Sequence, residues 1–192
     1  AGSNNPWPTG PCAAGFFCLA GSDTPTQYRV PKGHFSIVGA SAPSPCVPGT
    51  YQPVRGQSTC LGCEPGFSCG EFNTSLMTPC LRGYYCEAGT VNPAPCPAGT
   101  FGEDLGLNST VFCEKCEAGF FCDEVGTTSA TQKPCAAGHW CGPGSFRERP
   151  VDQTNAEGEP NGGICPPGHY CPRGDGANPH PCESGTFYPG DR

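Results

Sequence analysis

Six copies of the motif Cys-x-x-Gly-x-x-Cys recur along this chain, and no other feature of the sequence restricts its fold as strongly. These short repeats run over Cys12–Cys18, Cys63–Cys69, Cys80–Cys86, Cys116–Cys122, Cys135–Cys141 and Cys165–Cys171. A second type, the long repeat, reads Cys-x-x-Gly-Thr-aromatic and has its closing cysteine further on; it runs over Cys46–Cys60 and Cys96–Cys113 and begins again at Cys182. Such repetition predicts an array in which each unit contacts mainly its neighbours.

The order long, short, short is itself periodic, with a period of about 50 residues. It predicts a partial repeat unit over 1–45, a complete unit over 46–95, a second over 96–164 and a truncated unit over 165–192. A long repeat without cysteines occupies 30–45, and the cysteine-free stretch 142–164 is expected to be a longer loop or a degenerate repeat. Because the last motif stops before a closing cysteine, we expect a segment of a longer chain in which Cys182 has its partner beyond Arg192.

Composition explains why the cysteines must be oxidised. Leu, Ile, Val and Phe together make up 27 of 192 residues, below the roughly 20 % that usually accompanies a conventional core. Without covalent bridges, little would offset a backbone entropy of about 1 to 2 kcal/mol per ordered residue. Disulfides persist in oxidising compartments, so the sequence predicts an extracellular or secretory location.

The pairing of the long repeats follows from a substitution. Residues 30–46 have the long-repeat rhythm, but Val30 stands at the opening position and Pro43 at the closing position. Their joint replacement predicts that opening and closing cysteines bond to each other, as Cys46–Cys60 and Cys96–Cys113. For the short repeats two arrangements remain open, self-closure within one repeat or crossed bridges between adjacent repeats. Self-closure is favoured because it leaves only Cys182 without a partner.

Aromatic pairs follow the glycine in several repeats, for example Phe16-Phe17, Tyr84-Tyr85 and Phe120-Phe121. We expect one ring of each pair to cover a disulfide and the other to pack on the next repeat, since alternate strand residues point to opposite faces. The alternative is an exposed aromatic ladder for sugars or partner chains. Gly and Pro are too frequent for long helices. The predicted fold class is therefore small disulfide-rich repeats, a linear array of short β-hairpin and turn modules with little or no helix and no large core.

Two glycosylation sequons, at Asn73 and Asn108, lie in polar stretches and predict N-linked glycans. The formal net charge of −7 argues against nucleic acid and anionic membrane surfaces as partners. No run of 18 apolar residues is present, so no direct membrane insertion of this segment is expected.

The phrases Cys-Pro-Ala-Gly-Thr-Phe at Cys96 and Cys-Leu-Arg-Gly-Tyr-Tyr-Cys at Cys80 resemble the GCC2/GCC3 family, also called ephrin-receptor-like cysteine-rich repeats. The resemblance extends over essentially the whole chain. It implies an EGF-like spacer in a large surface glycoprotein, and it is similar in kind to mastigoneme proteins, which form hair-like filaments on flagella. The departures from the pattern are Val30, Pro43 and the cysteine-free stretch after Cys141.

Candidates for chemistry are weak. The cysteine pairs Cys60/Cys63 and Cys113/Cys116 have metal-like spacing, but their long-repeat partners explain them better than zinc does. His139 and His169 occupy the position of Tyr84 and Phe120, so we interpret them as aromatic substitutes, and the other two histidines, His34 and His180, follow the same repeat rhythm. The acidic pair Glu103-Asp104 is too sparse for a calcium loop. We expect no cofactor, no metal site and no enzyme activity.

The sequence favours a structural role as a disulfide-stapled, glycosylated rod in an extracellular filament or cell-surface stalk. Its expected partners are copies of itself, other filament or cell-surface subunits, and N-linked glycans. The alternative is a receptor-type ectodomain that binds a protein or glycan ligand across successive repeats. For that alternative the candidate contact residues are Arg147, Glu148 and Arg149, in the cysteine-free stretch 142–164.

Overall fold

The computed structural model describes residues 10–131, 133–154, 158, 160–176 and 178–187. Its regular structure consists of very short β-strands, most of them two residues long, and one 3₁₀ turn over Thr110–Phe112. Among the described residues there is no α-helix. The predicted fold class, small disulfide-rich hairpin repeats without a large core, is confirmed.

The strands pair locally and antiparallel, each with the strand that follows it in the chain except in one three-stranded sheet. The two-stranded hairpins are β1 (Phe16–Phe17) with β2 (Tyr28–Arg29), β3 (His34–Phe35) with β4 (Ser44–Pro45), β5 (Thr50–Tyr51) with β6 (Leu61–Gly62), β7 (Phe67–Ser68) with β8 (Thr78–Pro79), β9 (Tyr84–Tyr85) with β10 (Ala94–Pro95), β11 (Thr100–Phe101) with β12 (Glu114–Lys115), and β16 (His169–Tyr170) with β17 (His180–Pro181). In the repeat that opens at Cys116 the hairpin is reduced to a single bridge, Phe120 to Pro134.

The first strand of each hairpin begins one residue after the repeat's glycine, and the second ends just before the next repeat opens. The three-stranded sheet has the order β13 (His139–Cys141), β15 (Pro160–Ile164), β14 (Gln153–Thr154), with β15 in the centre. The chain divides into two compact units, one of Ala1–Pro79 with Cys86–Asn92 and the other of Cys80–Tyr85 with Pro93–Arg192.

Most of the buried hydrophobic residues are the cysteines themselves, as expected for a chain with so few large apolar residues. Three small clusters stand in place of one core: Tyr51 with Cys63 and Cys69; Phe101 with Cys116, Cys122 and Ala130; and Phe121 with Cys135 and Cys141. Each cluster combines an aromatic ring with a pair of cysteines.

For the cysteine-free stretch 142–164 the sequence predicts a loop or a degenerate repeat, and the structure corrects the loop. Two of the three strands in the larger sheet, β14 and β15, lie within it. The glycines that made the sequence resemble a loop permit close packing instead, because a Cβ on Gly162 would lie 2.7 Å from the Pro150 ring and one on Gly163 would lie 3.1 Å from the Trp140 indole nitrogen. Glycine in a strand often marks such a close approach.

Candidate functional site

The disulfides close individual repeats. Five short repeats are closed on themselves, as Cys12–Cys18, Cys63–Cys69, Cys116–Cys122, Cys135–Cys141 and Cys165–Cys171. The long repeats are closed by Cys46–Cys60 and Cys96–Cys113. Cys80 and Cys86 are also disulfide-bonded. Within the part of the chain that the structure describes, Cys182 is the free cysteine. For these five short repeats the structure thus adopts self-closure rather than crossed bridges.

The glycine three residues after each opening position, which we call the turn glycine, joins one repeat to the next. The N–H of Gly15 donates to Ser36 O at 2.9 Å, and the N–H of Val30, the next opening residue, donates back to Gly15 O at 3.1 Å. The same pair of bonds recurs at Gly33, Gly49, Gly83, Gly99, Gly119 and Gly138. Because these bonds use only backbone atoms, they tolerate wide variation of the neighbouring side chains.

A third backbone bond completes each junction. In every described repeat from the one opening at Val30 to the one opening at Cys165, a second residue lies in the left-handed region, and its N–H donates to the opening carbonyl of the preceding repeat: Gly39 to Cys12, Asn73 to Cys46 and Gly126 to Cys96, for example. Asn73 (φ +62°) fills a position that is glycine in the other repeats that have it. Asparagine tolerates this conformation better than most residues do.

The aromatic residue five positions after the opening position packs on the disulfide of the following repeat. Tyr51 contacts Cys63–Cys69, Phe101 contacts Cys116–Cys122, and Phe121 contacts Cys135–Cys141. The three rings are 6–8 % exposed. For the pair Phe120-Phe121 this arrangement favours the miniature-core interpretation over an exposed ladder, whereas Tyr84 of the pair Tyr84-Tyr85 is 36 % exposed and faces solvent more.

Among the described residues, three titratable groups have shifted pKa values, and all three belong to the repeat framework. Burial raises the pKa of Tyr51, and its hydroxyl also donates to Glu64 Oε1 at 3.3 Å. The hydrogen bond from Lys133 Nζ to Asp123 Oδ1, at 2.6 Å, lowers the pKa of Asp123 and raises that of Lys133. Lys133 also donates to Glu124 Oε1 at 2.8 Å. These three charged side chains line a shallow, open depression beside Phe121.

The histidines follow the repeat rhythm. His34, His139 and His169 all lie one residue after their turn glycine, and in each the ring Nδ1 is within 3.1–3.4 Å of the backbone oxygen two residues earlier. His180 instead stacks on Tyr170, and its Nε2 lies 3.3 Å from Asp175 Oδ1. In the described ranges no group of three or more His, Cys, Asp or Glu side chains could hold a metal ion.

The remaining predicted residues lie at the surface. Asn73 and Asn108 are both exposed, and so are Arg147, Glu148 and Arg149. Arg147 lies over the Phe146 ring, 5.4 Å from its centre. Within the described residues, no helix is long and apolar enough to cross a membrane.

Sequence reasoning missed the buried polar contacts among Ser145, Gln153 and Asn161. Ser145 Oγ donates to Asn161 O at 2.5 Å, and Gln153 Nε2 donates to Asn161 Oδ1 at 2.9 Å. All three side chains are at least 95 % buried. The sequence signal that could have indicated them is weak, because polar residues in a glycine-rich stretch ordinarily indicate an exposed loop.

Together these features define a class: an extracellular, disulfide-rich repeat protein in which each repeat is joined to the next through backbone hydrogen bonds and through rings that cover the disulfides. Three known proteins are similar to the chain in sequence over part of its length. The mouse (Mus musculus) signal peptide, CUB and EGF-like domain-containing protein 3 is 34 % identical over 112 residues, and the zebrafish (Danio rerio) protein 2 of that name is 30 % identical over 106 residues. The rice (Oryza sativa subsp. japonica) ABC transporter G family member 25 is 25 % identical over 126 residues.

These similarities cover 54 %, 52 % and 60 % of the chain, respectively, but the chain spans only about a tenth of each relative, 11 %, 10 % and 11 %. No protein-family model matches the chain. The comparisons therefore support cysteine-rich, extracellular repeats and do not assign a narrower family.

Proposed function

We propose that the chain is a structural segment of a surface protein, a disulfide-stapled, glycosylated array of GCC2/GCC3-type repeats in a mastigoneme-like filament or a cell-surface stalk. The observation that carries this proposal is the recurring junction. Among the described residues, seven turn glycines make the same two backbone bonds to the next repeat. The most regular feature of the described chain is the bonding between successive repeats, rather than a central core. Such a chain is suited to act as a spacer.

The disulfides suit such a spacer to mechanical and proteolytic stress. Each self-closed short repeat has its two cysteines 6 residues apart, and the long repeats have theirs 14 and 17 apart. A bridge over so short a loop limits how far the repeat can extend, and it restricts the freedom of the unfolded chain by about 2 to 3 kcal/mol in the entropic account. Damage to one repeat leaves the bridges of the others in place.

Glycans fit the same role. The two sequon asparagines, Asn73 and Asn108, are exposed, so attached sugars would extend into solvent beside the repeats. Treatment of the native protein with an endoglycosidase, which removes N-glycans, should lower the mass of the tryptic peptides that contain Asn73 and Asn108. Unmodified peptides at both positions in the native protein would contradict this part of the proposal.

We also propose that the chain is not an enzyme. His34, His139 and His169 have repeat-framework contacts, and the acidic side chains Asp123 and Glu124 are paired with Lys133. The partners we propose are copies of the chain itself, other filament or cell-surface subunits, and the N-linked glycans. We propose no nucleic-acid partner and no direct insertion into a membrane.

Electron microscopy of the native, unreduced parent protein tests the structural role. Regular filaments with a repeating subunit, labelled along their length by an antibody to this segment, are the expected result. Discrete membrane-attached particles carrying the label would contradict the filament and support the receptor-type ectodomain.

One observation favours that alternative, in which a protein or glycan ligand binds across repeats. Arg147 and Arg149 are exposed, and they follow Ser145, whose Oγ donates to Asn161 O in the central strand of the three-stranded sheet. A glycan array probed with the intact chain, and with an Arg147→Ala/Arg149→Ala variant, tests the glycan form. Binding that this variant loses, and that an Arg82→Ala control retains, would support the alternative.

A further inference from the structure

The longest cysteine-free stretch of the chain, the 27 residues 19–45, contains the repeat that lost both of its cysteines. We propose that this repeat, residues 30–45, is a built-in release element: the part of its unit that opens first while every disulfide remains intact. The local stability of this repeat can be measured whether the parent protein is a filament subunit or a receptor.

The repeat at 30–45 is folded like its neighbours. Its hairpin β3–β4 has the usual register, with His34 opposite Pro45 and Phe35 opposite Ser44. Val30 takes the place of the opening cysteine and is completely buried. Ser36 is also buried, and its Oγ donates to Phe16 O at 2.9 Å.

Its junctions are equally regular. The turn glycine Gly33 donates to Gln52 O at 2.9 Å and accepts from the N–H of Cys46 at 2.8 Å. The Ser36 N–H donates to Gln57 O at 3.1 Å. The backbone junctions therefore do not distinguish this repeat from the next one, which has in addition the Cys46–Cys60 bridge and the Tyr51 ring packed on Cys63–Cys69.

That difference is large enough to decide which repeat opens first. In the following repeat, Cys46–Cys60 holds together residues 14 apart in sequence, so that repeat gains little freedom when it opens. The repeat at 30–45 has no such restriction, and it gains the full freedom of an open loop. For a loop of this length the entropic account gives a ratio of opening constants on the order of 100-fold.

The other long cysteine-free stretch, 142–164, does not share this weakness. It belongs to the three-stranded sheet and contains the buried Ser145, Gln153 and Asn161 contacts. The repeat at 30–45 has only a two-stranded hairpin, and at its surface the adjacent Ile37 and Val38 are 66 % and 59 % exposed. Opening would free Ile37 and Val38 together with the chain around them. The freed segment could then extend under tension, and it would be the first site of proteolysis.

Hydrogen exchange on the intact, oxidised chain tests the proposal with a matched pair of amides. Ser36 and Gln52 both lie six residues after their opening position, and both N–H groups donate to the following repeat, to Gln57 O and Thr74 O. After correction for intrinsic rates, Ser36 should exchange on the order of 100-fold faster than Gln52. Equal protection of the two amides, within about threefold, would overturn the proposal.

Two double variants supply the causal test. Val30→Cys/Pro43→Cys restores the missing pair and should slow exchange at Ser36 on the order of 100-fold, with Gln52 unchanged. Cys46→Ser/Cys60→Ser removes the neighbouring bridge and should speed exchange at Gln52 by a similar factor. The second variant decides the matter if the first does not form its bridge, since unchanged exchange at Gln52 would overturn the proposal.

Discussion

Replacement of the turn glycine Gly33 by alanine tests whether the junctions are what hold the repeats together. Gly33 has φ +75°, and a Cβ built on it would lie 2.1 Å from the backbone oxygen of Asn73 and 2.7 Å from its carbonyl carbon. Both obstacles are backbone atoms, which cannot move aside by rotating a side chain. The Asn73 backbone is itself held by the bond from its N–H to Cys46 O.

The expected cost has two parts. Placing an L-residue in the left-handed region costs about 1 to 2 kcal/mol. Accommodating a methyl group where backbone already lies requires a shift, and overpacking of this kind costs about 1 to 3 kcal/mol more. Gly33→Ala should therefore lower the free energy of local opening by about 2 to 5 kcal/mol.

The measurement is native-state hydrogen exchange at the amides of Ser36 and Asn73, compared between wild type and variant. Gly21→Ala is the matched control, because Gly21 has φ +85° with no atom within 4 Å of an added Cβ. The control should show only the conformational part, about 1 to 2 kcal/mol, in its own repeat. If the two variants lose the same stability within about 0.5 kcal/mol, the close approach of the repeats contributes nothing and our account of the junction fails.

Three further outcomes follow from the framework. Phe101→Ala uncovers the Cys116–Cys122 bridge and should destabilise its unit by about 3 kcal/mol in thermal unfolding, because a buried ring is removed. Lys133→Met should raise the pKa of Asp123 toward its ordinary value in an NMR titration. In the wild type, the lowered pKa of Asp123 stabilises the fold at pH values above the pKa that this group has in the unfolded chain. That stabilisation is lost as the pH falls through the pKa of Asp123 in the folded chain. Burial raises the pKa of Tyr51, so the stabilisation it provides is present below about pH 10 and is lost at higher pH, and Tyr51→Phe should flatten that alkaline loss of stability.

Each of these outcomes has a control. Phe72 is also a phenylalanine but is 59 % exposed, so Phe72→Ala should change stability by only about 0.5 kcal/mol or less. An Asp123 pKa that is the same in Lys133→Met and wild type would contradict the role of the hydrogen bond. For Tyr51, an alkaline stability profile that the phenylalanine variant leaves unchanged would show that other groups cause the loss.

Much of the fold could be predicted because residues close together in the sequence determine it. A glycine three residues after each opening position and aromatic residues just beyond it are enough to specify a left-handed turn followed by a short strand. The bonds Cys46–Cys60 and Cys96–Cys113 agree with the reasoning from Val30 and Pro43, in which two cysteines are lost together because they serve one bridge. The exposed positions of Asn73 and Asn108 likewise follow from their polar surroundings.

Other features depended on contacts between residues far apart in sequence. The stretch 142–164 has the composition of a loop, yet Gly162 and Gly163 allow Pro150 and Trp140 to pack against the central strand of a sheet. Local composition cannot reveal this, because the same glycines that disfavour a strand in isolation permit one where another group must approach closely.

The sequence by itself therefore determined the kind of protein: with few large apolar residues and 17 cysteines, the chain can fold only as small covalently closed units in an oxidising compartment. Tertiary structure decided how those units are connected. The spacing of the short repeats permits self-closed and crossed bridges alike, whereas the folded chain closes Cys12 with Cys18 and Cys63 with Cys69. The physical reason is that seven turn glycines of the described chain direct both their backbone N–H and their C=O to the next repeat, so hydrogen bonds make the connections between repeats and the disulfides remain within them.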